Sequence, residues 1–413
     1  MRIAFVSYEL PPDTALGGIA TYVAQIADAL ADAGAEVEVF CGSTTRTDQT
    51  INEHGVVIHR LKIDRHAFAT AIVPVFLQRH RAKPFDVLEG PDFNAEARYV
   101  VRALQQLPYV VKLHTPYFFA AKVGKFPYSR TDFWNQLRLY WYVLKTMNVH
   151  ALAKREDPIF AEEKQHLLNA DEIAAPSHAV ADVVCKTWGA DFDRVSLVPY
   201  TYEPPAEITA IPVDTDTQVI TFLGRLEWRK GVQDLTKAFP LIFDRHPNAR
   251  FRFVGAWSAS PLPGLNMKEY VCRGLAQKYI DRIEFVGKVP LNQISQYLAK
   301  TDICVFPSRW ESFGFVVLEA MSAARGVVCT NNGGMAELLG GGKYGLLVPP
   351  KSPSEIAKQI NYFLDNPAAR KAMGALARKE GLKPFASEVV IPKQLASYER
   401  AIARRKKLMA HAG

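Results

Sequence analysis

Apolar residues recur along this chain in two alternating forms: short uninterrupted runs, and longer stretches whose apolar positions fall three or four apart. The runs predict strands buried on both faces and the stretches predict amphipathic helices, a combination that builds parallel α/β sheets. In the first half, strands are expected at 2–7, 37–40, 56–61, 86–89, 109–113, 172–175 and 195–198. A helix is expected over 19–33, with Ile19, Tyr22, Val23, Ile26 and Leu30 on one face and Gly34 at its end. Residues 201–216 are rich in Pro, Thr and Glu without periodicity and read as a linker. The alternation then restarts, with strands at 219–223, 252–254, 283–286, 302–306 and 327–330 and helices at 232–243, 267–279 and 315–324. A last helix is expected over roughly 391–407, following Pro384 and Pro392.

At 413 residues the chain exceeds what one core serves, so two doubly wound domains are expected, 1–200 and 217–384, with a tail over 385–413. Ligands of open α/β sheets bind beyond the carboxyl ends of the strands, which makes a cleft between the two domains the expected site. Residues 116–165 break the alternation, being dense in aromatics (Tyr117, Phe118, Phe119, Trp134, Trp141) interleaved with Lys122, Lys125, Arg130 and Arg138. They read either as an insertion that meets an acceptor or a membrane surface, or as helices covering the first sheet.

Composition narrows the class without naming it. With 48% hydrophobic and 22% charged residues, the chain is that of an ordinary globular protein. No run reaches the roughly 18 apolar residues of a membrane span, and the start is too short an apolar run for a signal peptide, so a cytoplasmic protein is expected. The five cysteines (Cys41, Cys185, Cys272, Cys304, Cys329) form no CxxC pair and read as buried small hydrophobes. The net charge of +8 admits an anionic partner, including weak attraction to a membrane face, but no nucleic-acid motif accompanies the basic clusters.

The chemistry concentrates at predicted strand ends. Glu311-Ser-Phe-Gly-Phe-Val-Val-Leu-Glu319 places two carboxylates around a helix start, where Gly314 and Phe315 offer free N–H groups to an anion. Arg225 and Lys230 lie in the turn between the strand at 219–223 and the next helix, a fork and a point charge suited to a pyrophosphate. Gly17-Gly18 opens the first helix, in a loop without the GxGxxG spacing of a dinucleotide fold. His114 follows a strand end, Ser177 is a helix N-cap, and Gly287-Lys288-Val289 and Gly333-Gly334-Met335-Ala-Glu337 follow two others. Asp191-Phe-Asp193 and Asp214-Thr-Asp216 match a metal-holding Asp-x-Asp formally, but lie in loops near the domain junction and read as surface turns.

These motifs, in this order over nearly the whole chain, resemble the retaining glycosyltransferases of the GT-B fold, especially family 4 with its Glu-x7-Glu signature. The resemblance implies two Rossmann-like domains facing a central cleft and a last helix that crosses back to the first domain. It further implies metal-independent transfer of a hexose from a nucleoside diphosphate sugar, UDP-linked or GDP-linked, to a glycan, lipid-linked or small-molecule hydroxyl. Arg225, Lys230, Glu311 and His114 would then serve the reaction centre, and Gly17, Gly18, Lys288, Val289, Phe313, Gly314, Phe315 and Glu319 would line the donor site. A sugar-nucleotide epimerase and a non-catalytic sugar-nucleotide-binding protein are the alternatives. One stretch departs from the family pattern: Pro199-Tyr200-Thr201-Tyr202 stands where relatives often carry Pro-Asn-Gly.

Overall fold

The first strand, β1 (Arg2–Val6), shows why uninterrupted apolar runs become central strands. Ile3 and Phe5 belong to one buried cluster and Ala4 and Val6 to another, so both faces of the strand are covered. The structure is a computed structural model that describes residues 1–14, 17–124, 141, 158–262 and 264–412. Further strands of the first domain are β2 (Glu36–Ser43), β3 (Gln49–Glu53), β4 (Val56–Lys62), β5 (Val87–Pro91), β6 (Tyr109–Lys112), β7 (Glu172–Ala175) and β8 (Val195–Leu197). They form one sheet in the order β3-β4-β2-β1-β5-β6-β7-β8, parallel except where β3 meets β4. Helices Gly18–Asp32 and His178–Trp188 line opposite faces.

The second sheet is parallel throughout, in the order β11-β10-β9-β12-β13-β14. Its strands are β9 (Val219–Leu223), β10 (Arg250–Val254), β11 (Ile283–Gly287), β12 (Ile303–Phe306), β13 (Gly326–Thr330) and β14 (Leu346–Val348). Alternation again divides the strands: Ile303 and Val305 pack with helices Val232–Phe243 and Pro353–Asp365, and Cys304 and Phe306 pack with helix Phe315–Ser322.

Three expectations are revised. Strand β3 was not foreseen, because Gln49-Thr-Ile-Asn-Glu53 lacks an apolar pattern and its position at the sheet edge requires none. The two-residue turn His54-Gly55, both at positive φ (48° and 81°), pairs it with β4. The single helix expected over 267–279 is two short ones, Met267–Cys272 and Gln277–Ile280, separated at Gly274. The stretch expected to be a loose linker contains helix Ala206–Thr209, and at and beside its start Tyr200, Thr201 and Tyr202 are buried.

The last helix runs over Ser387–Ala412, longer than expected, with Pro392 inside it, and it lies against the first sheet. At its centre Glu89 of β5, 1% exposed, accepts hydrogen bonds from Tyr22 (2.7 Å), Gln394 Nε2 (2.8 Å) and Tyr398 (2.8 Å). Burial pushes the Glu89 carboxyl up, opposed by Lys112 and these hydrogen bonds, and burial draws the Lys112 ammonium down to about 7. Further along, Arg400 and Arg404 pair with Glu172, and Arg405 pairs with Asp171 at 2.8 Å. Glu89→Ala is therefore expected to lower stability by about 3–5 kcal/mol in urea denaturation, since it leaves three donors without their acceptor in the core and removes the buried carboxylate that offsets the Lys112 charge. A loss below about 1 kcal/mol would show that the helix docks without this network.

Candidate active site

The carboxyl edge of the second sheet is shaped by loops that approach one another at backbone distance. After β9 the chain turns through Gly224 and Arg225 into the short turn Trp228–Lys230, and Gly231 begins helix Val232–Phe243. Gly231 has φ +69°, and a Cβ there would lie 1.8 Å from the carbonyl oxygen of Pro307, just beyond β12. Arg309 N–H donates to the Arg229 carbonyl at 2.7 Å, which closes the same junction. The cation-bearing loop is thereby fixed onto the loop that carries Glu311.

Glu311 is buried and meets two cations through one oxygen, Oε1: Arg229 at 2.8 Å and Lys230 at 2.5 Å. Burial would raise its pKa, but the two cations outweigh that and hold the carboxyl below its usual range. Arg229 also pairs with Glu227 at 2.8 Å. Arg225 is looser, with its side chain 54% exposed and Glu227 no nearer than 3.8 Å. On the other side, Gly334 N–H donates to the Glu311 carbonyl at 2.8 Å, and a Cβ on Gly333 (φ +97°) would lie 2.2 Å from that oxygen. Helix Phe315–Ser322 begins at Gly314 with no side chain capping it, so its first N–H groups and positive dipole end suit an anion. Glu319, within that helix, is partly buried, and none of the described residues donates a hydrogen bond to its carboxyl. Burial pushes it up to about 7.

The first domain meets this edge directly. A side chain on Gly18 would touch the Phe315 ring at 3.8 Å, while Gly17 caps the first helix in extended backbone, open to solvent. His114 is buried, its N–H donating to Asp92 at 2.9 Å, and burial followed by the charge on Lys112 holds its imidazole neutral, well below the usual range. Ser177 caps helix His178–Trp188 and donates to the Ser312 carbonyl at 2.6 Å, and Thr115 meets the Ser312 hydroxyl at 3.2 Å. Glu337 accepts from His178 N–H and Ala179 N–H, both at 2.9 Å, and so caps a first-domain helix from the second domain.

Arg225, Lys230, Glu311, Phe313, Gly314, Phe315 and Gly18 thus share one edge. Lys288 and Val289 follow β11, two strands from β9 on the same edge, and Lys288 is exposed. Sequence reasoning missed Arg229 and Glu227, although a Glu and a third cation between Arg225 and Lys230 were a signal for a charge cluster. Among the described residues no group of three or more His, Cys, Asp or Glu is placed to hold a metal ion. Asp191 caps a turn and Asp214 pairs with Lys371. Burial raises the thiols of all five cysteines. No helix among the described residues is long and apolar enough to cross a membrane. Most of the aromatic segment 116–165 lies outside the described residues.

Two family models match the chain, one described as a glycosyl transferase 4-like domain over residues 17–201 and one as glycosyl transferases group 1 over 205–380. The chain is similar to a D-inositol 3-phosphate glycosyltransferase of Paenarthrobacter aurescens (strain TC1), 27% identical with 94% of each chain covered. It shares its fold with sucrose-phosphate synthase from Thermosynechococcus elongatus, at a TM-score of 0.70 and 23% identity, covering 97% of this chain and 99% of that one. It shares it too with Anabaena HepE in complex with UDP-glucose, at a TM-score of 0.64 and 17% identity, covering 96% and 100%.

The junction at Gly231 gives a direct check. Gly231→Ala is expected to cost about 2–4 kcal/mol in thermal denaturation, because the new Cβ meets backbone and the positive φ is strained. Gly17→Ala, with open space around it, should leave the melting temperature within about 2 °C of the parent.

Proposed function

This chain belongs to the family 4 (group 1) glycosyltransferases of the GT-B fold, and on that premise we propose a retaining, metal-independent hexosyltransferase that uses a nucleoside diphosphate sugar. The observation that carries this reading is the convergence of Arg225, Lys230, Glu311 and the start of helix Phe315–Ser322 on one edge. The diphosphate would lie between the Arg225–Lys230 loop and the helix start, where charge and N–H groups stabilise it as it leaves. Both cations on Glu311 meet Oε1, which leaves Oε2 to accept a hydroxyl of the sugar. Glu319 would accept the ribose hydroxyls, and Lys288 and Val289 would flank the base.

In the reaction the bond from the anomeric carbon to the phosphate oxygen breaks and a bond to the acceptor oxygen forms on the same face. A leaving-group oxygen takes the acceptor's proton. His114, neutral and next to the cleft loops, would contact the sugar and is assigned no proton transfer. A UDP-sugar is the favoured donor, with GDP-mannose the alternative, and the acceptor is a hydroxyl of a glycan or lipid-linked glycan. The inositol phosphate in the relative's name favours a second acceptor reading, a small phosphorylated polyol.

Arg225→Ala and Lys230→Ala are each expected to lower kcat by about 10²-fold or more in a donor-consumption assay, as loss of one charge-stabilising group does elsewhere. Full turnover in the double variant would sink the mechanism. A pH test bears on Glu319, whose carboxyl is raised to about 7. Ribose hydroxyls favour its ionised form, so affinity for UDP-glucose should rise with pH and level off above about 7. From pH 8 to 6 calorimetry should find a loss of up to about tenfold. The diphosphate of UDP-glucose, esterified at both ends, stays ionised throughout, and Glu319→Gln should flatten the profile.

A further inference from the structure

The segment after β8 runs Val198-Pro199-Tyr200, and this tyrosine lies where the two domains meet. Tyr200 is 2% exposed, and its ring packs at 4.7 Å on Tyr22, 5.2 Å on His114, 4.7 Å on Phe313 and 5.5 Å on Phe315, the last nearly parallel at 20°. One side chain thus touches the predicted histidine of the first domain and both aromatics of the second domain's helix-start loop.

Its hydroxyl has one proton and two close neighbours, the Leu113 carbonyl at 2.8 Å and His114 Nδ1 at 2.5 Å. A carbonyl oxygen only accepts, so the hydroxyl proton belongs to Leu113; otherwise two oxygens would face each other at 2.8 Å with no hydrogen between them. The hydroxyl oxygen must then accept from His114, which places the imidazole proton on Nδ1 and leaves Nε2 with its lone pair. The backbone of His114 is fixed independently by Asp92, and Tyr22 meets the imidazole edge-on at 5.3 Å.

We propose that Tyr200 is a positioning residue that holds His114 as its Nδ1–H tautomer and sets it against the 313–315 segment, so that Nε2 accepts a hydrogen bond from a hydroxyl of the donor sugar. The last step rests on the glycosyltransferase reading; the tautomer does not.

The test uses the full chain labelled with [15N]histidine. In long-range 1H–15N spectra of the ligand-free protein, the His114 resonances, assigned by their loss in His114→Gln, should show a protonated Nδ1 and an unprotonated Nε2. Tyr200→Phe keeps the ring and removes the hydroxyl, and is expected to shift His114 toward the Nε2–H form, whereas Tyr202→Phe should leave the tautomer unchanged. In turnover assays Tyr200→Phe should lower kcat on the order of tenfold with donor KM within about threefold. An Nε2–H tautomer in the parent protein, or a His114 signal indifferent to Tyr200→Phe, overturns the proposal. If the tautomer is as stated but no sugar nucleotide is turned over, the fault lies with the functional reading instead. If the tautomer shifts and kcat does not, Tyr200 holds the ring without serving the reaction, and the positioning role is lost.

Discussion

Glu311 imposes the strictest requirement in the second domain. A carboxylate this deeply placed costs several kcal/mol unless cations and hydrogen bonds offset it, and both of its cations come from the neighbouring strand's loop. That loop must therefore come within backbone contact of the segment after β12, which only a residue without a Cβ permits at position 231. The same condition applies at Gly333, where the loop after β13 seals the other side. Two strand-end loops are thus joined by one buried charge and a third by the backbone of the same residue, and the start of helix Phe315–Ser322 inherits its position from them.

The two domains are joined by more than a cleft. Apolar packing is continuous from Tyr22 and Tyr200 through Phe313 to Phe385, so the first sheet and the helix-start loop share one core. Polar contacts add direction to it. Ser312 is met by Thr115 and Ser177, and Glu337 joins Ser177 in capping the start of helix His178–Trp188 from the other domain. Because the last helix is tied to Glu89 and Glu172, the chain passes from first domain to second and back.

Periodicity made the two sheets legible because strands covered on both faces have to be uninterrupted apolar runs, as β1 and β12 are. The same reasoning could not find β3, whose edge position relieves it of any apolar pattern, and it ran two short helices together across Gly274, where the backbone reverses at φ +79°. At the site, Arg225, Lys230 and Glu311 were readable because motif spacing ties each of them to the end of a strand. Arg229 was not, since its partners Glu227 and Glu311 are 2 and 82 residues away and only the fold brings the second one near. Tyr200 was hidden differently: composition placed it beside a linker, and its contacts with His114 and Phe315 are all long-range.

The charge inventory of the cleft edge bears on how an anion would enter. Arg225, Arg229 and Lys230 face Glu227 and Glu311, so three cations against two carboxylates leave one positive charge, and the helix start adds a partial one. Without a ligand the carboxylates hold these cations in place and keep them from repelling one another. A diphosphate reaching the edge would meet Arg225 first, as the most exposed of the three, with its ion pair the longest at 3.8 Å. Lys230 could then turn from Glu311 Oε1 toward the phosphate while Arg229 stays, so Glu311 would keep one cation and remain ionised. Binding on this scheme would exchange one ion pair for another, and the positive charge that the proposed leaving group calls for would be assembled before it arrives.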